Sequence, residues 1–302
     1  MAPTAPASPG STARRRVPTL GAPADEAVAR LLDLYGPRIR ALAHRLCRNH
    51  ADADDAVQDT FLRAFRKWHT FRGDADPGTW LYAIAVRECR ARRKRDARRR
   101  TPAMSQLMPW SETTVAQFAA ARADEPHEAE RRESVERVHG AIADLPEHLR
   151  VPVLLKDVLG VRVEDVAGAL GLAENTVKTR LHRARLALRK AMTARAPSVD
   201  APPPIFEKQV CLDLLKTKLD AMDRGGAAAG FLVPQAEVCA RCRAVFRELD
   251  LVQDACTQLA SGDLPDALRS AILRAIAARD AAPRAARRGR RPVRRSRPRS
   301  AG

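Results

Sequence analysis

From Ala27 to Arg99 the apolar positions follow a helical period, interrupted once by a loop at Phe71 to Gly78 that contains Gly73, Pro77 and Gly78. Residues 100–133 lose that period and gain Pro102, Pro109 and Pro126, which predicts a linker. The helical pattern resumes from Ser134 to Met192, punctuated by Pro146 and Gly160, and a third helical region runs from Ile205 to about Arg279. Between them the stretch APSVDAPPP, residues 196–204, is a second linker stiffened by three successive prolines. Residues 1–25 are rich in Pro, Ala, Ser and Gly and read as a disordered tail. The expectation is an all-α chain with domains at 26–99, 134–193 and 205–279. Linkers are expected at 100–133 and 194–204, and a basic disordered tail at 280–302.

The clearest local pattern lies at Val163 to Lys190. Val163, Val166, Ala167 and Leu170 form one apolar stripe of a short helix, and Gly171 follows as a residue able to turn left-handed. A second helix then turns Val177, Leu181, Ala184 and Leu188 inward. Its other face is expected to carry Thr176, Lys178, Thr179, Arg180, His182, Arg183 and Arg185. A support helix, a glycine turn and a second helix bearing donors is what a helix-turn-helix needs to enter the major groove. A merely solvated basic helix is the plainer alternative.

Charge narrows the partners. The net charge is +18, which favours an anionic partner, nucleic acid above all. Residues 90–100 hold eight basic residues against one acid, and residues 281–302 hold nine arginines and no acid; together they account for 16 of the 18 charges. The N-terminus has Arg14 to Arg16 but no apolar stretch of the signal-peptide kind, and no segment reaches the roughly 18 apolar residues of a membrane span. The six cysteines are too scattered for a secreted disulfide framework. A cytoplasmic protein without membrane contact is expected. No glycine phosphate loop, nucleophile elbow or paired-acid metal motif is present, so an enzyme is not expected.

The first domain adds two surfaces. In ADADDAVQDTFLRAFR, residues 51–66, Val57, Phe61, Ala64 and Phe65 share an apolar face and leave Asp54, Asp55, Gln58, Asp59 and Arg63 mainly outside. That acidic surface suits either water or a basic protein partner. In KWHTFRGDADPGTWLYAIAVRECRARRKR, residues 67–95, aromatic rings alternate with cations. This is the composition that stacks on unpaired bases and follows phosphates, although some of the rings must be core.

Residues 145–190 resemble the fourth conserved region of extracytoplasmic-function sigma factors of bacterial RNA polymerase, and residues 51–66 and 67–95 resemble the second. The resemblance implies that Asp54, Asp55, Gln58, Asp59 and Arg63 bind the clamp coiled coil of the largest polymerase subunit. It further implies that Trp68, Phe71, Arg72, Asp74, Trp80, Arg87 and Arg90 hold and melt the downstream promoter element. Thr176, Lys178, Thr179, Arg180, His182 and Arg183 would read the upstream element. Ala173 stands where such sequences usually place a capping serine, and Glu174 offsets part of that loss. The alternative is a helix-turn-helix regulator that binds duplex DNA without being a polymerase subunit.

The third domain carries Cys211, the pair Cys239 and Cys242, and Cys256. It resembles the zinc-binding anti-sigma domain, in which a histidine lies four residues before the pair; here that position is Gln235, and all seven histidines lie at or before His182. Zinc, although not required, would then need Cys211, Cys239, Cys242 and Cys256, or an acid or water as fourth ligand. Thiol–disulfide switching and metal-free docking are the other readings. The resemblance also makes a separate anti-sigma factor a possible partner. Cys47 and Cys89 read as small buried hydrophobes.

Overall fold

The structure, a computed structural model, describes residues 18, 21–47, 49–99, 126–193, 205–225, 238–260 and 263–288, with side-chain surroundings for all but 96–99, 126–131 and 281–288. Most of both tails and of both linkers expected above lies outside these residues.

Helix α1 (Ala24–Leu46) places Asp25 and Glu26 in its first turn and His44 and Arg45 in its last, as the helix dipole favours. Its Gly36 lies against Leu264, whose Cδ2 sits 2.7 Å from where a Cβ would stand. Helix α2 (His50–Lys67) starts at Asn49, whose side chain accepts from the Asp52 N–H at 2.7 Å. A short 3₁₀ turn at Trp68–Thr70 leads to α3 (Pro77–Arg99), which opens on a proline whose missing N–H is no loss there. Leu31, Ile39, Phe61 and Leu81 close the core between these three helices.

The second module begins earlier than the sequence suggested. Helix α4 runs over Pro126–Asp144, starting on a proline inside the expected 100–133 linker. Helix α5 (Glu147–Val153) passes into a π turn at Leu154–Val158. Helices α6 (Val163–Leu170) and α7 (Glu174–Thr193) complete it. Helices α8 (Lys208–Arg224), α9 (Ala240–Gln258) and α10 (Asp266–Arg288) follow. Helix α10 continues to Arg288, past the end expected near Arg279.

The third region is not a separate domain with its own core. Val252, Ala255 and Cys256 of α9, Leu259 at its C-cap, and Ile272 and Ile276 of α10 join the same apolar core as Leu31 and Leu181. Helix α9 packs on α4, α7 and the π turn, α10 packs on α1 and α2, and α3 packs on α6. Among the described residues two small clusters stand apart: Val238, Cys239, Cys242 and Phe246, with Cys211, Leu214 and Leu215 against them, and Leu219, Met222 and Leu249. The cause is the stripe Val252, Cys256, Leu259, which continues past the small clusters and finds the larger one.

Candidate nucleic-acid interface

The helix-turn-helix forms as its spacing requires. Gly171 ends α6 at φ 66°, ψ 41°, and the Leu172 N–H reaches back to the Ala167 carbonyl at 3.0 Å. Val177, Leu181, Ala184 and Leu188 of α7 are fully buried. Thr176, Thr179 and Arg183 are exposed, while Lys178 and Arg180 are partly covered. Thr176, Thr179 and Arg183 thus stand on the accessible side of the helix, and Lys178 and Arg180 flank it on opposite edges.

Two other residues of α7 depart from expectation. His182 is engaged from the third region: its Nε2 lies 3.2 Å from Asp223 Oδ2 and 3.6 Å from Asp220 Oδ1. Arg185, expected on the outer basic face, is completely buried. Its Nε and Nη2 donate to Asp157 at 3.0 and 2.7 Å, and its Nη1 donates to Asp223 at 2.6 Å. Burial pulls the guanidinium pKa down, but the two carboxylates more than offset it and Arg185 stays charged. Burial likewise pushes the Asp223 carboxyl up, and the hydrogen bond from His182 and the charge of Arg185 bring it below the usual carboxylate range. The spacing 177, 181, 184, 185, 188 had already put Arg185 on the inner face. Its charge disguised it.

On α2 the acidic residues stand as expected, at or near the surface, but with partners inside the chain. Arg92 of α3 bridges Asp55 and Asp59, Arg63 pairs with Glu88 at 2.7 Å, and Asp54 accepts from Arg40 and contacts His44, each at 3.0 Å. Gln58 is half-buried. Arg40 also donates to the Asp263 carbonyl at 3.1 Å, which brings the turn before α10 beside Asp54.

The aromatic segment splits. Trp68 is a core residue: it is 6% exposed, its indole N–H donates to the Ala22 carbonyl at 3.0 Å, and it stacks on Phe71 with centroids 5.2 Å apart. Phe71 and Trp80 are half-buried around it, 5.4 Å from each other. Arg72, Asp74 and Arg87 are exposed. Arg90 donates to Glu147 at 2.7 Å, and with Arg93 it ties α3 to the start of α5. A residue the sequence reading passed over, Asp76, accepts from Tyr35 at 3.1 Å and from the Gly78 N–H at 2.8 Å and so sets the loop.

Cys211, Cys239 and Cys242 converge, with all three sulfurs within 4.8 Å of one another. Cys256 does not join them. It is fully buried in the main core, near Arg45, Asp157 and Arg185, and burial pushes its thiol pKa far up. A closed four-sulfur zinc site therefore does not fit the residues present, whereas three thiolate donors do. Cys47 and Cys89 are buried, as read.

Two helical modules, one of them a helix-turn-helix with cations on its accessible side, define a factor built to handle DNA. Residues 31–100 match the Sigma-70 region 2 model and residues 136–188 match Sigma-70, region 4. The RNA polymerase sigma-H factor of Pseudomonas aeruginosa is 34% identical over 160 residues, covering 52% of this chain and 82% of that protein. The ECF RNA polymerase sigma factor SigM of Mycobacterium tuberculosis is 33% identical over 155 residues, covering 51% and 71%. A solved sigma factor RpoE, in complex with the anti-sigma factor NepR from Bartonella quintana, aligns at a TM-score of 0.45 and 26% identity over 55% of this chain and 96% of that one. The chain belongs to the extracytoplasmic-function RNA polymerase sigma factors. Neither matched family model reaches α8–α10. Among the described residues no helix is long and apolar enough to cross a membrane.

Proposed function

We propose that this sigma factor, a transcription initiation factor that brings RNA polymerase to promoters in the cytoplasm, is held in a closed form by its own C-terminal helices. In the open form Asp54, Asp55, Gln58, Asp59 and Arg63 dock the basic clamp of the polymerase. Thr176, Lys178, Thr179, Arg180, His182 and Arg183 read the upstream promoter element. Phe71, Arg72, Asp74, Trp80, Arg87 and Arg90 handle the melted strand. Cations serve phosphates and guanine edges, and half-buried rings serve unpaired bases.

The observation that carries the closed form is the engagement of His182 by Asp220 and Asp223. Two carboxylates occupy a side chain that DNA would need, so duplex and α8 compete for one face of α7. The same tether brings the turn before α10 to Asp54 through Arg40. A domain joined by a short linker acts at an effective concentration of about millimolar, so weak contacts suffice.

In vitro transcription with core polymerase tests both parts. The chain cut after Thr193 is expected to bind core and promoter more tightly than the full chain. The Asp220→Ala, Glu248→Ala variant, which keeps every buried core residue, is expected to move the same way. A full chain unable to direct initiation under any condition, together with an equally inert truncation, overturns the residue assignments. Equal activity of full chain, truncation and double variant overturns the closed form alone.

A further inference from the structure

We propose that His182, Asp220 and Asp223 form a site for one divalent transition ion of the first row, shared between α7 and α8, and that promoter duplex competes with this ion for His182. The competition rests on the closed form above; the site stands on its own geometry. Asp220 and Asp223 are three residues apart on α8 and so share one face of it. Opposite them, His182 Nε2 lies 3.2 Å from Asp223 Oδ2 and 3.6 Å from Asp220 Oδ1. All three ligand atoms lie within 4.8 Å of one another. Atoms that share an ion at about 2.1 Å, on the corners of an octahedron or a tetrahedron, stand roughly 3.0–3.4 Å apart. The first distance falls inside that range and the second exceeds it slightly. Asp220 is 38% exposed and has the room to close the difference by rotation.

What separates these groups from an ordinary surface pair is how Asp223 is held. Its side chain is 3% exposed, and its Oδ1 accepts from Arg185 Nη1 at 2.6 Å, which leaves Oδ2 aimed at the imidazole. Arg185 is fixed in turn by Asp157 on the π turn, at 3.0 and 2.7 Å. Carboxylates that hold metals are oriented by outer hydrogen bonds of this kind, and their loss typically lowers affinity by roughly 10–100-fold. Lys156, beside Asp157, is buried as well. With His182 neutral, the carboxylates of Asp157, Asp220 and Asp223 outnumber the cations of Arg185 and Lys156 by one, so the linked groups attract a further positive charge.

The donor set names the class of ion. One imidazole nitrogen and two carboxylate oxygens, with no sulfur among them, suit divalent manganese, iron, cobalt, nickel or zinc, with water in the remaining positions. They are too few oxygens for calcium. An ion on Nε2 leaves the imidazole proton on Nδ1. It also ties α7 to α8 through a side chain that the duplex would take, so whatever factor the ion removes from duplex affinity the duplex removes from ion affinity. A protonated His182 would satisfy the same two carboxylates without an ion, and the test separates the two.

The test uses the reduced full chain, stripped of metal and titrated with manganese(II). Carboxylates take this ion and thiolates do not select it, which keeps the cysteines out of the measurement. Bound ion is counted by the loss of the free ion's electron paramagnetic resonance signal. One equivalent is expected to bind the wild type and the Cys211→Ser variant equally, with nitrogen coupling from one imidazole in the pulsed spectrum. His182→Gln and Asp220→Asn, both at partly exposed positions, are expected to lose at least tenfold in affinity while keeping the melting temperature of the stripped chain. Saturating manganese is expected to weaken binding of an upstream-element duplex at least tenfold in the wild type and to leave it unchanged in Asp220→Asn. The proposal is overturned if manganese does not bind at millimolar concentration, if either variant binds it as tightly as wild type, or if no nitrogen coupling appears. If the ion binds through His182 and duplex affinity does not move, the site stands and the competition falls together with the closed form.

Discussion

The C-terminal helices hold the rest of the chain in two unlike ways. Helix α10 enters the groove between α1 and α2 with Ile272 and Ile276, which are 0% and 2% exposed, and one ion pair, Arg269 to Asp33, lies at its edge. Helix α8 reaches α7 mainly through charge, with Asp220 and Asp223 on His182 and Arg185, whereas α9 adds the Glu248–Arg189 pair to the buried Val252, Ala255 and Cys256. Apolar burial is not screened by salt and varies little with pH, whereas exposed ion pairs are screened and carboxylate or histidine pairs titrate; the buried Arg185–Asp223 pair is screened far less. The first module is thus joined to the C-terminal helices by an apolar contact with α10, and the second by an apolar contact with α9 and a charged, adjustable one with α8.

The comparison can be broken from either side. The largest effect is expected at Asp223. Its replacement by alanine leaves the Arg185 guanidinium, buried completely, with Asp157 and the Leu219 carbonyl, and removing one charged partner of such a network costs about 3–5 kcal/mol. Denaturant unfolding of the full chain measures that loss. A cost below about 1 kcal/mol would show that Asp157 suffices. Next stands Ile272→Ala, expected to cost about 2–5 kcal/mol through lost burial and the cavity left behind. Its effect should be the same at low and high salt, and a strong salt dependence would erase the distinction between the two attachments.

A pH titration sharpens the same contrast. Burial, foremost, holds His44 and His139 below the ordinary histidine range, so both favour the neutral form in the folded chain. A group with a depressed folded value contributes stability that is present above its unfolded value and is lost as pH falls through the folded one. Global stability should thus begin to fall as pH drops below about 6.5, the ordinary histidine value. The Asp223 carboxyl faces His182 and Arg185 and is also depressed, so the grip of α8 should weaken separately, in the acid range of carboxylates. Hydrogen exchange in α8 that changed only together with the α1–α3 core would contradict two separate steps. The smallest effect is expected at Glu248→Ala. The pair with Arg189 is about a third exposed on each side and is worth roughly 0.2–1 kcal/mol, less at high salt. Its measurable consequence is tighter promoter binding at low salt.

The helix-turn-helix was legible because its requirements are local: two apolar stripes and one residue with positive φ at Gly171. The meeting of Cys211 with Cys239 and Cys242 was legible through the resemblance to the zinc-binding anti-sigma domain, which pairs a CxxC with an upstream cysteine. What could not be read was the pairing between distant segments. Nothing near Asp223 or Asp157 in sequence announces that both attend Arg185, and the π turn that carries Asp157 has no strong local signature. Cys256 was misassigned by its chemistry. Its place on the stripe with Leu249 and Val252 made it a core residue, and helical spacing already contained that information. Trp68 was misjudged for the opposite reason, because a base-stacking ring and a core ring look alike until the Ala22 carbonyl is seen to take its N–H.

Gly36 shows how far the attachment of α10 has shaped the rest. A glycine inside a helix is worth about 1 kcal/mol less than alanine to a module that stands alone. Here the hollow it leaves is filled by Leu264, too closely for even a methyl group unless that leucine shifts. The first module is thus cut to fit a residue from the far end of the chain, like a mortise for its tenon. Grafted onto another protein, α1–α3 would carry an unfilled notch, and an alanine there would improve the graft while crowding the joint in the parent.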